Sequence, residues 1–352
     1  MTLLKATPKK LLQAVERTLM AGLVPYVQGS PGIGKSDIAR QLANKWNLKL
    51  IDCRLSTMMP EDLNGLPFRN GDKSAYLPFE NFPINGDDIP EGYSGWLILF
   101  DELSSAPKSL QAAAYKVILD REVGIHKLHD NVIMMAAGNL KTDKAVVVPM
   151  STAMQSRLVH FEMNIHQPDW VDWADKNSID YRVKAYINYK PSELWVFNPD
   201  HTENTFRCPR TWEFVSRLIK DKPSLDDIDH FTINGAIGES GGMQFVEFCN
   251  IASNAPTIEA ILNDPENTMI PKEASLRFFV VSAVMDHTDS KNLDKLFTYI
   301  NRLPEEYQVI YLRGLARKDP KLRTHGAYLK NLNKLLRFIS EDEKDEYSGK
   351  SA

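Results

Sequence analysis

Cysteine is scarce in this sequence: Cys53, Cys208 and Cys249 are the only three in 352 residues. An odd number at wide separations, with no Cys-x-x-Cys pair, excludes a disulfide framework and a structural zinc site. It points to a reducing, cytoplasmic environment. Long apolar runs are missing too. No stretch approaches the ~18 uninterrupted apolar residues of a membrane span, and the amphipathic start, Met1 to Ala21, lacks the small-residue cleavage site of a signal peptide. Neither sign of charge prevails. With 42 Lys+Arg against 46 Asp+Glu, the net charge of −4 provides no strong field to gather nucleic acid or an anionic membrane. Internal repeats and low-complexity tracts are absent. What remains is the composition of an ordinary globular chain, 43% hydrophobic and 25% charged, long enough for two or three compact units.

The first 165 residues alternate strand-like and helix-like runs, which is the pattern of an α/β layer with a parallel sheet. Five short apolar runs read as buried strands: Val24–Gln28, Lys49–Cys53, Trp96–Asp101, Val132–Ala137 and Leu158–Glu162. Lys35–Trp46 and Ser109–Asp120 read as helices between them. Beyond about Ile165 helical periodicity dominates. A Lys-Pro-Ser turn within Asp221–Asp226 marks a second boundary, and the acidic stretch 341–352 reads as a solvated tail. The expected division is therefore an α/β nucleotide-binding core over 1–165, a helical lid over 166–222, a helical C-terminal domain over 223–340 and the tail.

The strongest chemical signal is Gly29-Ser30-Pro31-Gly32-Ile33-Gly34-Lys35-Ser36, directly after a strand and directly before a helix. Glycines let the backbone turn its N–H groups inward around a polyphosphate, and the helix N-terminus adds its dipole. Lysine reaches the β- and γ-phosphates while the serine hydroxyl binds Mg²⁺. The candidate binding residues are Gly29, Pro31, Gly32, Ile33, Gly34, Lys35, Ser36 and Asp37, for ATP with Mg²⁺.

Second comes Trp96-Leu97-Ile98-Leu99-Phe100-Asp101-Glu102. Carboxylates at the C-terminal end of a parallel strand face the crevice where phosphates lie. Asp101 is placed for the Mg²⁺ shell with Ser36, and Glu102 to polarise an attacking water. That second acid favours hydrolysis over transfer to a small-molecule acceptor. Asn139, just past the fourth strand, is placed to hold the water in line. Arg157, at the mouth of the fifth strand, lies far from its own phosphates but at a subunit edge, where it can serve a neighbour as an arginine finger. Arg210 opens a helix of the lid and is a candidate γ-phosphate reporter; Arg207 and Arg217 lie close enough to blur that choice.

Three tempting features carry blander readings. Glu239-Ser240-Gly241-Gly242 resembles a transporter signature loop but follows the aspartate strand instead of preceding it, and reads as a helix N-cap with a tight packing turn. His126 and His129 lack further ligands nearby and fit a surface hairpin within Val123–Val132. The aromatics Trp170, Trp173, Tyr181, Tyr186, Tyr189, Trp195 and Phe197 fall at helical spacing and read as the core of a small bundle, not as a base-stacking face.

With these elements in this order, the chain resembles the AAA+ ATPases, specifically the MoxR branch near the dynein-related group. The likeness runs over nearly the whole length. It is strongest over Gly29–Ser36, over Leu55–Pro67 with its Pro-Glu-Asp-Leu-x-Gly run, and over Asp101–Val123. The resemblance implies a P-loop AAA+ core with a five-stranded parallel sheet, an all-helical lid and a C-terminal helical region. It implies a helix 2 insert at Pro60–Gly65, a pre-sensor 1 hairpin after Val123, sensor 1 at Asn139, an arginine finger at Arg157 and sensor 2 at Arg210. It also implies a hexameric ring working with a von Willebrand factor A-type partner. Ser105 stands where the family commonly has Arg, and Asn139-Leu140 where it has Asn-Pro, which marks a divergent sub-branch.

Two functional classes follow. One is a ring ATPase that remodels or activates a protein partner. The other is a nucleic-acid motor or nuclease-associated ring of McrB-like type. The net charge and the single Lys127 in the hairpin favour the first, since a strand-threading loop carries more positive charge.

Overall fold

The computed structural model describes residues 5–143, 147–200, 203–252 and 254–336. Contacts divide the chain into two compact units, one of residues 1–166 with 198–200, the other of residues 167–197 and 201–352. The acidic stretch 341–352 lies outside the described residues.

The first unit is an α/β layer. Its strands are β1 (Lys5–Ala6), β2 (Val24–Gln28), β3 (Lys49–Arg54), β4 (Leu66–Asn70), β5 (Lys73–Leu77), β6 (Trp96–Asp101), β7 (Glu122–Val123), β8 (His126–Lys127), β9 (Val132–Gly138) and β10 (Leu158–Met163). Helices α1 (Pro8–Met20), α2 (Lys35–Lys45), α3 (Pro60–Asn64), α4 (Lys108–Asp120) and α5 (Thr152–Gln155) connect them. Six strands form one sheet in the order β1-β10-β2-β9-β6-β3, and every pairing in it is parallel.

The α/β class with a parallel sheet and a helical continuation is thus the one expected. The strand count is not: the expected five gain a sixth, the two-residue β1, which pairs Lys5 with Glu162 and Ala6 with Met163 at the β10 edge. Two residues carry no legible alternation. Strand β6 is buried at all six positions, which is why its first five residues are an unbroken apolar run before Asp101; a strand covered on both faces has no polar side to show.

Two small hairpins stand apart from the sheet. β7 and β8 pair around Gly124-Ile125, within the stretch read as a hairpin. β4 and β5 pair from Leu66↔Leu77 to Asn70↔Lys73 and were not expected. Their residues are nearly all solvent-exposed, so no buried face imposes a period on the sequence.

The second unit is helical: α6 (Gln167–Lys176), α7 (Tyr181–Tyr189), α8 (Pro209–Ile219), α9 (Asp227–Ile237), α10 (Glu239–Ala252), α11 (Ile258–Asn263), α12 (Ala274–Asp286), α13 (Leu293–Ile300), α14 (Glu305–Lys318) and α15 (Gly326–Leu335). One core gathers aromatic rings around Tyr186, which meets Trp212, Phe245 and Phe248 at centroid distances of 5.5, 5.5 and 5.3 Å. A second collects Val281, Val284, Leu296, Ile300, Tyr311 and Leu315, among others, from α12 to α15. Gly241 and Gly242 lie inside α10. A Cβ on Gly242 would fall 1.9 Å from Asn234 Oδ1 of α9, so the pair is a packing device. No described helix is long and apolar enough to cross a membrane.

Candidate nucleotide site

The phosphate loop leaves the carboxyl end of β2, in the middle of the sheet, and enters α2. Gly32 and Gly34 take φ of 76° and 100°, left-handed values that favour glycine. Gly34 is the N-cap of α2, so the first free N–H groups of that helix point into the loop. Ile33 is buried. A Cβ on Gly29 would come 2.6 Å from Ile33 Cδ1 and 3.3 Å from Met163, so the start of the loop is packed too closely for a side chain there.

Lys35 is almost wholly buried, 8% exposed. Its ammonium donates to the carbonyls of Gly29 and Ser30, both at 2.8 Å, and to Asn139 Oδ1 at 3.0 Å. Ser36 donates to Asp101 Oδ2 at 2.7 Å. These two contacts join the phosphate loop to the next strands along the sheet, β9 and β6. They bring Lys35, Ser36, Asp101 and Asn139 together from sequence positions over a hundred residues apart.

Glu102 has a left-handed backbone, φ 57°, which for a residue other than glycine is strain of order 1 kcal/mol held by its surroundings. Here its N–H donates to Asp101 Oδ1 at 2.8 Å. Its carboxylate accepts a hydrogen bond from Ser56 Oγ, on the turn after β3. Ser56 was not singled out in the sequence. Only the β3–β6 pairing, which sets Arg54 opposite Asp101, reveals it.

The same pairing brings in Asp52, a carboxylate 36% exposed on the edge strand β3 that no motif marks. Burial raises its pKa above the ordinary 3.8. The Asp101 and Glu102 carboxylates push the same way, while Arg54 and Arg40 oppose. Ser104 is another such residue. Buried at 3% exposed, it accepts from the Asn139 N–H at 2.8 Å through Oγ. Its hydroxyl also meets Tyr26, whose own pKa is pushed up to about 12 by burial.

The remaining candidates make other contacts. Asp37 sits on the first turn of α2, where it accepts from Gln41 at 2.8 Å and pairs with Arg40 at 3.5 Å. Arg157 is exposed just after α5, its guanidinium held by Ser156 Oγ at 2.9 Å. In the helical unit Arg210 is exposed in the first turn of α8. Arg207 is tied to Glu193 at 2.6 Å, and Arg217 pairs with Glu213 one turn earlier on the same helix. Cys53 and Cys208 are buried, and all three thiols are unpaired.

The donor chemistry suits the groups that the sequence implies. Ser36 Oγ and Asp101 Oδ2 are two hard oxygen donors 2.7 Å apart. Mg²⁺ takes few protein ligands of this kind and fills its octahedron with water and phosphate oxygens. The glycine cradle and the Lys35 ammonium match a polyphosphate.

Strand order, loop and acids together define a P-loop α/β core. No protein-family model matches the chain, and no curated protein matches it. Among solved structures, a candidate ATPase from Cytophaga hutchinsonii is 14% identical, with 96% of this chain and 91% of that one covered at a TM-score of 0.37. A RuvB mutant from Thermotoga maritima is 16% identical over 74% of each chain at 0.37. NtrX from Brucella abortus is 14% identical over 95% of this chain and 69% of that one at 0.38. Likenesses at this level carry no functional inference, which rests on the chain's own geometry.

Proposed function

We propose that this chain is an ATPase of AAA+ type, of the MoxR branch, acting as a hexameric ring that remodels or activates a protein partner in the cytoplasm. The observation that carries the reading is one convergence at the carboxyl edge of the sheet: Lys35 on Asn139, Ser36 on Asp101, and Glu102 beside them. With the two-residue edge strand β1 left out, the sheet runs from β10 with the loop-bearing β2 second and the acid-bearing β6 fourth, the arrangement of an AAA+ core.

Bound Mg²⁺ would neutralise charge on the phosphates, held by Ser36 and Asp101. Lys35 grips the phosphate chain. Glu102 takes the proton of the attacking water and Asn139 orients that water. Arg157 acts on the nucleotide of the next subunit, and Arg210 of the lid, residues 166–222, reports the γ-phosphate. A von Willebrand factor A-type protein is the partner we infer. The β4–β5 hairpin supports a protein client over a nucleic acid, since it presents Leu66, Phe68 and Leu77, 50%, 41% and 59% exposed, to solvent.

The test is a pair of variants. Lys35→Ala removes a charged donor to phosphate and should weaken ATP binding by about ten- to a hundredfold. Glu102→Gln keeps the cradle and should bind ATP normally while kcat falls by about a hundredfold or more. Rapid turnover in Glu102→Gln would remove that residue from its role, and normal ATP affinity in Lys35→Ala would remove the site.

A further inference from the structure

The turn that follows the two acids, Leu103 to Ala106, is a junction. Ser104 Oγ accepts from the Asn139 N–H at 2.8 Å, while Ser104 O accepts from the Val148 N–H at 2.7 Å. Over both sits the side chain of Gln111, from the first turns of α4, 6% exposed. Its amide nitrogen donates to Ala106 O at 3.1 Å, Leu103 O at 3.4 Å and Val148 O at 3.2 Å. One buried amide thus holds both ends of the turn after the two acids and the segment Val147–Met150.

That segment leads directly to Arg157. Met150 O accepts from Gln155 Nε2 at 3.0 Å, and Ser151 Oγ caps α5 by accepting from the Met154 N–H. The Arg157 N–H then donates to Met154 O at 3.1 Å. On its other side the segment borders a cavity of about 600 Å³ against Tyr26 and His160, and Met150 packs partly buried against the core. At Val148 the segment is held by hydrogen bonds in both directions, through its N–H to Ser104 O and through its carbonyl to Gln111.

We propose that Gln111 is a positioning residue that holds the Arg157 segment to the turn after Glu102, so that the state of one nucleotide site sets the placement of the finger offered to the next. This rests on the reading of Arg157 as a finger acting in trans. The chemistry is specific to an amide. A carboxylate would turn acceptor against three carbonyls, and a thioether or alkyl chain of the same length has no N–H to give. The Gln111 side chain donates to backbone carbonyls of Leu103, Ala106 and Val148, whereas Lys35, Ser36, Asp101 and Glu102 bond to other partners, so its loss leaves them with their own contacts.

The experiment mixes subunits. Gln111→Met should keep ATP affinity within about twofold and lose about ten- to a hundredfold in kcat, the cost of misplacing a reacting group by about 1 Å. Mixed in equal amounts with Glu102→Gln, it should recover up to about a quarter of wild-type turnover, the share of interfaces in a random ring where a complete site meets a well-placed finger. A merely structural defect in the turn after the two acids would not recover, because the neighbour cannot repair it. Arg157→Ala mixed with Glu102→Gln runs alongside. If that control pair stays inactive, the finger reading itself fails. If the control recovers and the Gln111→Met pair does not, or if Gln111→Met turns over at the wild-type rate, Gln111 is not a positioning residue for the finger. Should Gln111→Met not fold, Gln111→Asn, with the amide drawn back by one methylene, takes its place under the same criteria.

Discussion

Asp52 shows how much a single residue takes from its neighbours. In the sequence it is one acid in a strand; in the fold it lies on β3 opposite Leu99 of β6, two residues short of the Arg54–Asp101 pair, within the field of the Asp101 and Glu102 carboxylates. Burial, with those carboxylates, raises its pKa, against Arg54 and Arg40. A carboxyl whose folded pKa is raised costs stability once ionised. That cost is absent below the unfolded value, grows as pH rises through the folded one, and is fully present above it. Asp52→Asn should therefore raise Tm at pH 7 and raise it less at pH 4. The Arg54 contact at 3.7 Å is half exposed and its loss subtracts little. Equal shifts at both pH values in thermal melts, or a lower Tm at pH 7, would contradict this. The candidate site was unevenly legible at this scale. The run from Gly29 to Ser36 is contiguous, and its chemistry follows from residue types in order. Ser56, Asp52, Ser104 and Gln111 belong to no contiguous pattern, so only the pairing of β3 with β6 and the folding of the turn after Glu102 bring them in.

Strand β9 shows the same at the scale of an element. Its last residue, Gly138, lies one position beyond the run read as a strand, and a Cβ there would lie 2.3 Å from Tyr26 Oη and 2.8 Å from Ser104 Oγ. Tyr26 cannot yield easily: it is 2% exposed and stacks edge-on against His160 at 5.4 Å. Gly138→Ala should cost about 1–3 kcal/mol in urea unfolding, the usual range for overpacking a filled site. Removing the hydroxyl with Tyr26→Phe should make the same substitution cheaper, a coupling that a double-mutant cycle reads directly. If the two changes were simply additive, the close approach would not be the cause. The elements themselves were readable where burial imposed a period. β6 and the apolar positions of α4 followed from their sequence, whereas β1 and the β4–β5 hairpin did not, being too short or too exposed to leave one.

For the whole molecule, the central expectation is assembly. Arg157 is exposed beyond α5, and its only described hydrogen bond through the side chain is to the adjacent Ser156. An arginine finger in such a place needs a second subunit, so the chain should form or tighten a ring with ATP and Mg²⁺. Sedimentation or mass photometry with and without nucleotide measures this. A strict monomer with full turnover at every protein concentration would overturn it.

What the amino-acid sequence determined by itself was local. It placed the loop between a strand and a helix, set acids at a strand end and left the later residues to helical periodicity. Each of these follows from residue type and spacing over a dozen positions or fewer. The tertiary structure decided which strands are neighbours, and with that which polar groups meet. Lys35 reaches Asn139, Ser56 reaches Glu102, and Gln111 reaches Val148 only because β2, β9, β6 and β3 lie side by side in that order. Strand order is set by how the helices cover the sheet's faces, an energy summed over the whole core, and no short stretch of sequence contains it.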